Sequence, residues 1–241
     1  MRYAIVSDIH GNIEALRAVF ERLSESDQLL CLGDVVGYGP NPNECVELVR
    51  ARATACILGN HDVAAIDSYG VEFFNPAARD AIAWTQTVLS GENAAWLDGL
   101  AYELRMPDFL MVHGAPVTYF SYILDIEDAE RAFAATDAPL VFVGHSHVAE
   151  WYGRAVDGQI THAHVQRGGS LGLVEGVRYI VNVGSVGQPR DLNPDASFAF
   201  YDSDSRTISW ERTAYPIGLV QAKIEQAHLP QTLAKRLSAG R

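Results

Sequence analysis

The sequence predicts an α/β fold: a four-layer αββα sandwich, two mixed β-sheets packed face to face with flanking helices. Three observations predict it. Strand-like and helix-like segments alternate through the N-terminal half in the order β-α-β-α-β, which calls for parallel strands and right-handed crossovers. After Ala149 the pattern changes to short strands joined by turns such as Asp157-Gly158, which calls for antiparallel pairing. The 241 residues, 48% hydrophobic and 20% charged, supply enough apolar surface for a large core. No repeat, low-complexity tract or linker interrupts residues 1–241, so we read one domain, with a mostly parallel first sheet and a more antiparallel second one.

The elements follow in order. Tyr3–Ser7 is a short apolar run. Asn12 then precedes Ile13, Leu16, Phe20 and Leu23, apolar at helical spacing. Gln28–Leu32 is the second run, Pro42 opens a helix carrying Cys45, Leu48 and Val49, and Thr54–Leu58 is the third run. Asn75-Pro76 supplies an N-cap and a first helical residue for Ala78, Ile82 and Leu89, and Gly91 breaks that helix. Tyr102–Arg105 and Phe109–Val112 flank Met106-Pro107-Asp108 and read as a hairpin. Ile126, Ala129 and Phe133 mark a helix, and Leu140–Val143 a strand. Ala149–Val156, Gln159–Val165, Val177–Val183, Ser197–Asp202 and Thr207–Thr213 read as strands. A helical region from Ile217 to Leu237, interrupted at Pro230, ends the chain.

Charge and composition exclude several classes. Eighteen Lys plus Arg against thirty Asp plus Glu leave a net charge of −12. No basic run stands out, so a duplex nucleic-acid partner is not expected. No stretch has the ~18 uncharged apolar residues of a membrane span. No apolar segment with a cleavage site opens the chain, and Cys31, Cys45 and Cys56 make no disulfide framework. A reduced, cytoplasmic protein without a membrane partner is the expectation.

The chemistry lies at the ends of the apolar runs. Tyr3–Ser7 ends at Asp8, with His10 two residues on. Gln28–Leu32 leads into Gly33-Asp34, and Thr54–Leu58 into Gly59-Asn60-His61-Asp62. Phe109–Val112 ends at His113-Gly114, and Leu140–Val143 leads into Gly144-His145-Ser146-His147. In an open α/β sheet, ligands bind beyond the carboxyl ends of the strands. Five such ends would bring their polar groups to one site. Two Asp, one Asn and four His form a nitrogen and oxygen set without thiolate, suited to Mn, Fe, Zn, Co or Ni. Seven candidates exceed the needs of one ion. Two ions sharing Asp34 would use about this number, and paired ions clamp both oxygens of a phosphoryl displacement.

These blocks, Asp8-Ile9-His10, Gly33-Asp34, Gly59-Asn60-His61-Asp62, His113 and Gly144-His145-Ser146-His147, resemble in order the five blocks of the calcineurin-like metallophosphoesterase superfamily. The resemblance spans residues 8 to 147, and that family's fold is similar to the four-layer sandwich predicted above. It implies a first divalent ion on Asp8, His10, Asp34 and His147, and a second on Asp34, Asn60, His113 and His145. Manganese is the first expectation for both. It implies a metal-bridging hydroxide as nucleophile, and His61 as the catalytic histidine that contacts phosphate and protonates the leaving oxygen.

Departures narrow the branch. The resemblance to protein Ser/Thr phosphatases is incomplete, because Gly37 and Tyr38 stand where those enzymes carry an Asp and an Arg. What orients His61 is then open. Asp8–Asn12 and the loop Gly184-Ser185-Val186-Gly187-Gln188-Pro189-Arg190 look closer to the small prokaryotic phosphodiesterases, phosphatases and dinucleoside-polyphosphate hydrolases. Arg190 is a candidate for phosphate binding, against the alternative of a surface salt bridge. Tyr38, Phe73, Phe74 and Tyr119 fall in loops at the expected rim, where an aromatic ring stacks on a base or anchors its own loop. The expected function is hydrolysis of phosphate esters or anhydrides of small molecules, phosphodiesters or nucleotides. The alternatives are a protein-phosphatase-like phosphomonoesterase and a non-catalytic scaffold resembling a retromer subunit. His162 and His164 share one strand face but lack a third ligand in the sequence nearby, so they read as surface polar residues, and His228 as helix-terminal.

Overall fold

The computed structural model describes residues 1–241. Its first sheet is built around β1 (Arg2–Val6). On one side β1 pairs in parallel with β2 (Gln28–Cys31), which pairs in parallel with β3 (Ala53–Cys56). On the other side it pairs antiparallel with β11 (Ala196–Asp202), followed by β12 (Thr207–Thr213) and β9 (Gly169–Gly172). The second sheet runs β4 (Glu103–Arg105), β5 (Leu110–Val112), β6 (Leu140–Val143), β10 (Arg178–Val183), β7 (Ala149–Arg154) and β8 (Ile160–His164). Here β5, β6 and β10 are mutually parallel and the other pairings antiparallel.

Both sheets are therefore mixed, and the expected division into a parallel first sheet and an antiparallel second one does not hold. The parallel strands are shared, three to each sheet. The late strand β11 lies beside β1, and β10 lies beside β6. Every βαβ crossover still covers a sheet face with helix, as parallel strands require.

Alternation along the strands explains the layers. Ala4 and Val6 of β1 and Leu29 and Cys31 of β2 face the helices. Ile5 and Leu30 face the second sheet, where they meet Leu32, Phe142, Val181, Ala199 and Trp210. The helices over the first sheet are α1 (Ile13–Phe20), α2 (Pro42–Arg52), α3 (Asn60–Asp67), α4 (Pro76–Val88), α5 (Gly91–Asp98), α7 (Ile217–Gln226) and α8 (Gln231–Leu237). Only α6 (Ile126–Ala135) covers the second sheet, setting Ala129, Ala132 and Phe133 against Val141, Val143, Tyr152 and Ile180. The longest helix has 13 residues, and none is long and apolar enough to cross a membrane.

Three elements escape the sequence pattern. Gly91 does not only end α4: it opens α5 behind the Ser90 cap, whose side chain accepts the Asn93 N–H. α3 begins inside the Asn60-His61-Asp62 block itself, with Asp62 accepting the Gly59 N–H as in a capping box. β9 reads Gly-Ser-Leu-Gly, a composition that disfavours strand until the β12 edge supplies its partner.

The indole of Trp210 links the sheets. Its Nε1–H donates to the Asn182 carbonyl across the interface at 2.9 Å, and the side chain is 3% exposed. Trp210→Ala is expected to cost roughly 3–5 kcal/mol of unfolding free energy, read as a lower urea midpoint with no loss of far-ultraviolet circular dichroism before the transition.

Candidate metal centre

The parallel strands of both sheets end at one rim, and the five polar blocks follow them. Strain collects there. Asp8, His10, Asp34, His145 and His147 all have positive φ, between 51° and 67°. A non-glycine residue in this region costs roughly 1–2 kcal/mol. Local bonds hold these conformations: the Asp8 N–H donates to Gly33 O at 3.0 Å, His10 N–H to Asp34 O at 2.9 Å and Gly144 N–H to His113 O at 2.8 Å.

Both carboxylates are anchored by one oxygen. Asp8 Oδ2 accepts the His145 backbone N–H at 3.0 Å. Asp34 Oδ1 accepts the His61 backbone N–H at 2.8 Å. Their other oxygens face the imidazoles. Asp8 Oδ1 lies 3.2 Å from His147 Nε2, and Asp34 Oδ2 lies 3.3 Å from His113 Nε2 and 3.6 Å from His10 Nε2.

The imidazoles are anchored by Nδ1. His10 Nδ1 is 3.1 Å from Val36 O, His113 Nδ1 2.7 Å from Leu32 O and His147 Nδ1 2.6 Å from Gln188 O. A carbonyl only accepts, so each Nδ1 carries the proton and, in the neutral ring, each Nε2 presents a lone pair. His10 Nε2 and His147 Nε2 then face each other at 3.1 Å. Two lone pairs at that distance repel unless a cation lies between them and the carboxylates. Asp8 Oδ1, Asn60 Oδ1, His113 Nε2 and His145 Nε2 are also buried without hydrogen-bond partners.

Charge points the same way. No Lys or Arg pairs with Asp8 or Asp34; all their ion-pair partners are histidines. Burial works to raise both carboxyls, yet the neighbouring histidines hold both below the ordinary range. On His113 burial opposes the proton, but the Asp34 carboxylate holds it up to about 10. Positive charge is drawn to this spot. The buried groups fall into Asp8-His10-His147, Asp34-His113-His145 and His10-Asp34-His61, each compact enough for one ion. Six of the seven residues predicted as ligands are thus brought together. Asn60 lines the adjoining cleft with His145 and keeps its Oδ1 buried without a partner, and these donors fit divalent metal.

His61, at the second position of α3, is 5% exposed. No carboxylate holds its ring. It packs against Tyr38 at 4.4 Å, Phe74 at 4.5 Å and His10 at 4.8 Å between centroids, and Nδ1 has no partner. A Cβ on Gly37 would lie 2.4 Å from that nitrogen, so the small residue makes room for the ring. Burial pushes the imidazole down to about 4; Asp34 opposes this and Arg190 adds to it.

Arg190 makes no salt bridge. It donates to Gln188 Oε1 at 3.1 Å and to the Tyr38 hydroxyl at 3.4 Å, so the surface-ion-pair alternative is not what the structure shows. The loop that carries it is tied to the site. Ser185 Oγ donates to Asp8 O at 2.8 Å, Gly187 N–H to Asp8 O at 2.9 Å and Arg190 N–H to His147 O at 3.1 Å.

A cleft of about 420 Å³ opens beside His61, Asn60 and His145. Tyr38, Phe73 and Phe74 line it as expected; Tyr119 does not, and stacks on Tyr102 at 5.3 Å. Sequence reasoning missed Tyr69, Phe120 and Tyr122, which also line the cleft. Tyr122 stacks on His145 at 3.9 Å and 16°. It also missed Arg236 of α8, whose guanidinium lies 6.0 Å from the Tyr38 ring. No motif marks these residues; only the folded chain brings them to the rim.

A model of the calcineurin-like phosphoesterase superfamily domain matches residues 1–206. The chain belongs to that superfamily and is a metal-dependent phosphoesterase. It is 35% identical over 246 residues to an uncharacterised protein of Methanocaldococcus jannaschii, covering 99% of this chain and 98% of that protein. It superposes on a metallophosphoesterase from Sphaerobacter thermophilus with a TM-score of 0.89 and 40% identity, covering 100% of both chains. A 64-residue stretch is 36% identical to the symmetrical bis(5'-nucleosyl)-tetraphosphatase of Erwinia tasmaniensis, 24% of this chain and 23% of that enzyme.

Gly59 tests the geometry. A Cβ there would lie 2.1 Å from Asp34 Oδ1 and 2.3 Å from the Asp34 nitrogen. Gly59→Ala is expected to displace Asp34. Bound metal should drop, and turnover should fall at least about tenfold, as misplacement by ~1 Å can cost ~10². Metal content and rate equal to the unaltered chain would refute this account of the site.

Proposed function

We propose that the chain hydrolyses phosphate esters or anhydrides of small molecules bearing an aromatic group, nucleotides or aryl phosphodiesters among them, at a centre of two divalent transition-metal ions. The carrying observation is the aromatic-lined cleft that opens directly onto Asn60, His61 and His145. Phe73 is 86% exposed and Tyr69 68% exposed at its mouth. Large apolar side chains left in water beside a reactive centre are suited to stacking on a planar ring. The tetraphosphatase similarity supports a nucleotide.

Asp8, His10, Asp34 and His147 would hold one ion, and Asp34, Asn60, His113 and His145 the other. Manganese is our first choice, with Fe, Zn, Co and Ni alternatives on the same donor set. Such ions, when bound, lower the pKa of water and neutralise phosphate oxygens. The chain supplies the rest. Arg190, free of any carboxylate, would bind a phosphate oxygen through its guanidinium. His61 would protonate the leaving oxygen. Burial favours its neutral form, and the negative charge of a bound phosphate would favour the protonated one. The gap left by Gly37 and the ring of Tyr38 disfavour the protein-phosphatase alternative. Three buried free cysteines agree with a reducing, cytoplasmic setting.

His61→Ala should keep both metals and lose about 10²–10⁴-fold in rate. The loss should be largest for an alkoxide leaving group and smallest for p-nitrophenolate, which needs no proton. Equal losses on both would show that His61 works by position or charge, and a lost metal would move it into the ligand set.

Phe73→Ala should raise KM about tenfold or more for a nucleotide substrate, the size of one lost base stack, with kcat little changed. For a methyl phosphodiester KM should not move. An unchanged nucleotide KM would remove the cleft from substrate binding.

A further inference from the structure

Outside the centre, the β7–β8 hairpin carries a second group of metal-type side chains. Glu150 pairs in register with His164, and Tyr152 with His162. Alternation sets all four on the outer face of the second sheet, where Tyr152 joins the core under α6. The third ligand that the sequence did not show beside His162 and His164 is thus Glu150, from the neighbouring strand. His164 stays on the surface as read, but Glu150 draws both histidines into one cluster.

Three groups converge on one oxygen. His162 Nε2 lies 2.7 Å from Glu150 Oε2, His164 Nδ1 3.3 Å and the Tyr152 hydroxyl 3.3 Å. The Glu150 side chain is 3% exposed, that of His162 24% and that of His164 62%. No Lys or Arg pairs with this buried carboxylate; its ion-pair partners are the two histidines. Tyr152 stacks on His162 at 4.3 Å and 11° and fixes that ring. One imidazole would satisfy the oxygen by hydrogen bonding. The second, two residues along the same strand, gives the bite of a bidentate pair.

We propose that Glu150, His162 and His164 bind a transition-metal ion of the zinc, cobalt or nickel type, separate from the phosphoesterase centre. The three donor atoms lie within 4.8 Å of one another. Bonds of ~2.0–2.1 Å at a tetrahedral ion place its ligands about 3.3 Å apart. The Glu150–His164 separation already has that value, and the Glu150–His162 contact needs to open by about half an ångström. The exposed side of His164 leaves a fourth position for water. The ion would tie β8, the last strand of its sheet, to β7.

The test is metal uptake by the full chain after chelator stripping, with zinc chloride and cobalt(II) chloride as probes in equilibrium dialysis. His164→Gln alters an exposed side chain and should fold normally; Glu150→Gln removes the buried ligand. The unaltered chain should take up one more ion than either variant, and each variant should lose the absorption of one four-coordinate cobalt. Phosphoesterase turnover of His164→Gln should stay within about twofold. A dinuclear centre that binds fewer ions than proposed would change the totals but not this difference of one. Equal uptake by the unaltered chain and both variants would overturn the proposal.

Discussion

The structure depends on two buried carboxylates that lack a permanent cation. Asp8 and Asp34 are 0% and 1% exposed, and leaving an ion pair incomplete in such a place costs several kcal/mol. No Lys or Arg offsets that cost; the chain surrounds them with imidazoles whose Nδ1 protons are committed to backbone carbonyls. The left-handed turns at five of the seven residues and the glycine beside Asp34 serve the same arrangement. Strain of this kind persists only where the surroundings over-determine it. Here they do: the loop after β10 bonds to Asp8 O twice, and Asn182 donates to Gly144 O at 2.7 Å and to Ser146 Oγ at 2.9 Å. Asn182 also accepts the Trp210 indole N–H through its carbonyl. The packing between the sheets and the shape of the His145–His147 turn therefore share one residue.

The seven clustered polar residues were legible because each follows an apolar run, and parallel strands deliver such ends to one edge. The N-terminal βαβ order and the Met106-Pro107-Asp108 hairpin were legible for the same local reasons. What escaped depends on exact strand register and on contacts from segments without periodicity. Glu150 meets His162 and His164 only because β7 and β8 pair as they do, and Tyr122 reaches His145 from a loop whose sequence carries no periodicity. The division of parallel strands between two sheets escaped too. Sequence order says that β1, β2 and β3 belong together; it does not say that β11 completes their sheet while β10 joins β6. α3 was hidden by the motif it carries: Asn60-His61-Asp62 reads as chemistry and is also the first turn of a helix.

His61, proposed above as the proton donor, is held by packing rather than by a carboxylate. Where a carboxylate is absent at position 37, the ring is caged by Tyr38, Phe74 and His10, and Gly37 leaves it room. A carboxylate would raise the pKa of the imidazole and hold one tautomer. Aromatic packing does neither; it fixes the plane of the ring and leaves Nδ1 unbonded. On the proposed function, its protonation would then answer to what enters the cleft.

Tyr38 and Phe74 sit on both sides of that relation. Each packs on His61, and each lines the cleft proposed for the aromatic group. Tyr38 also takes the hydrogen bond from Arg190. A ring stacked in the cleft would press on the residues that set the plane of His61, and a phosphate on Arg190 would offset the charge that adds to burial in depressing its pKa. On the proposed function, binding and proton transfer would thus draw on common side chains. On that same proposal, a histidine held by packing would gain this coupling at the expense of independence: the substrate that fills the cleft well would also be the one for which His61 is best placed.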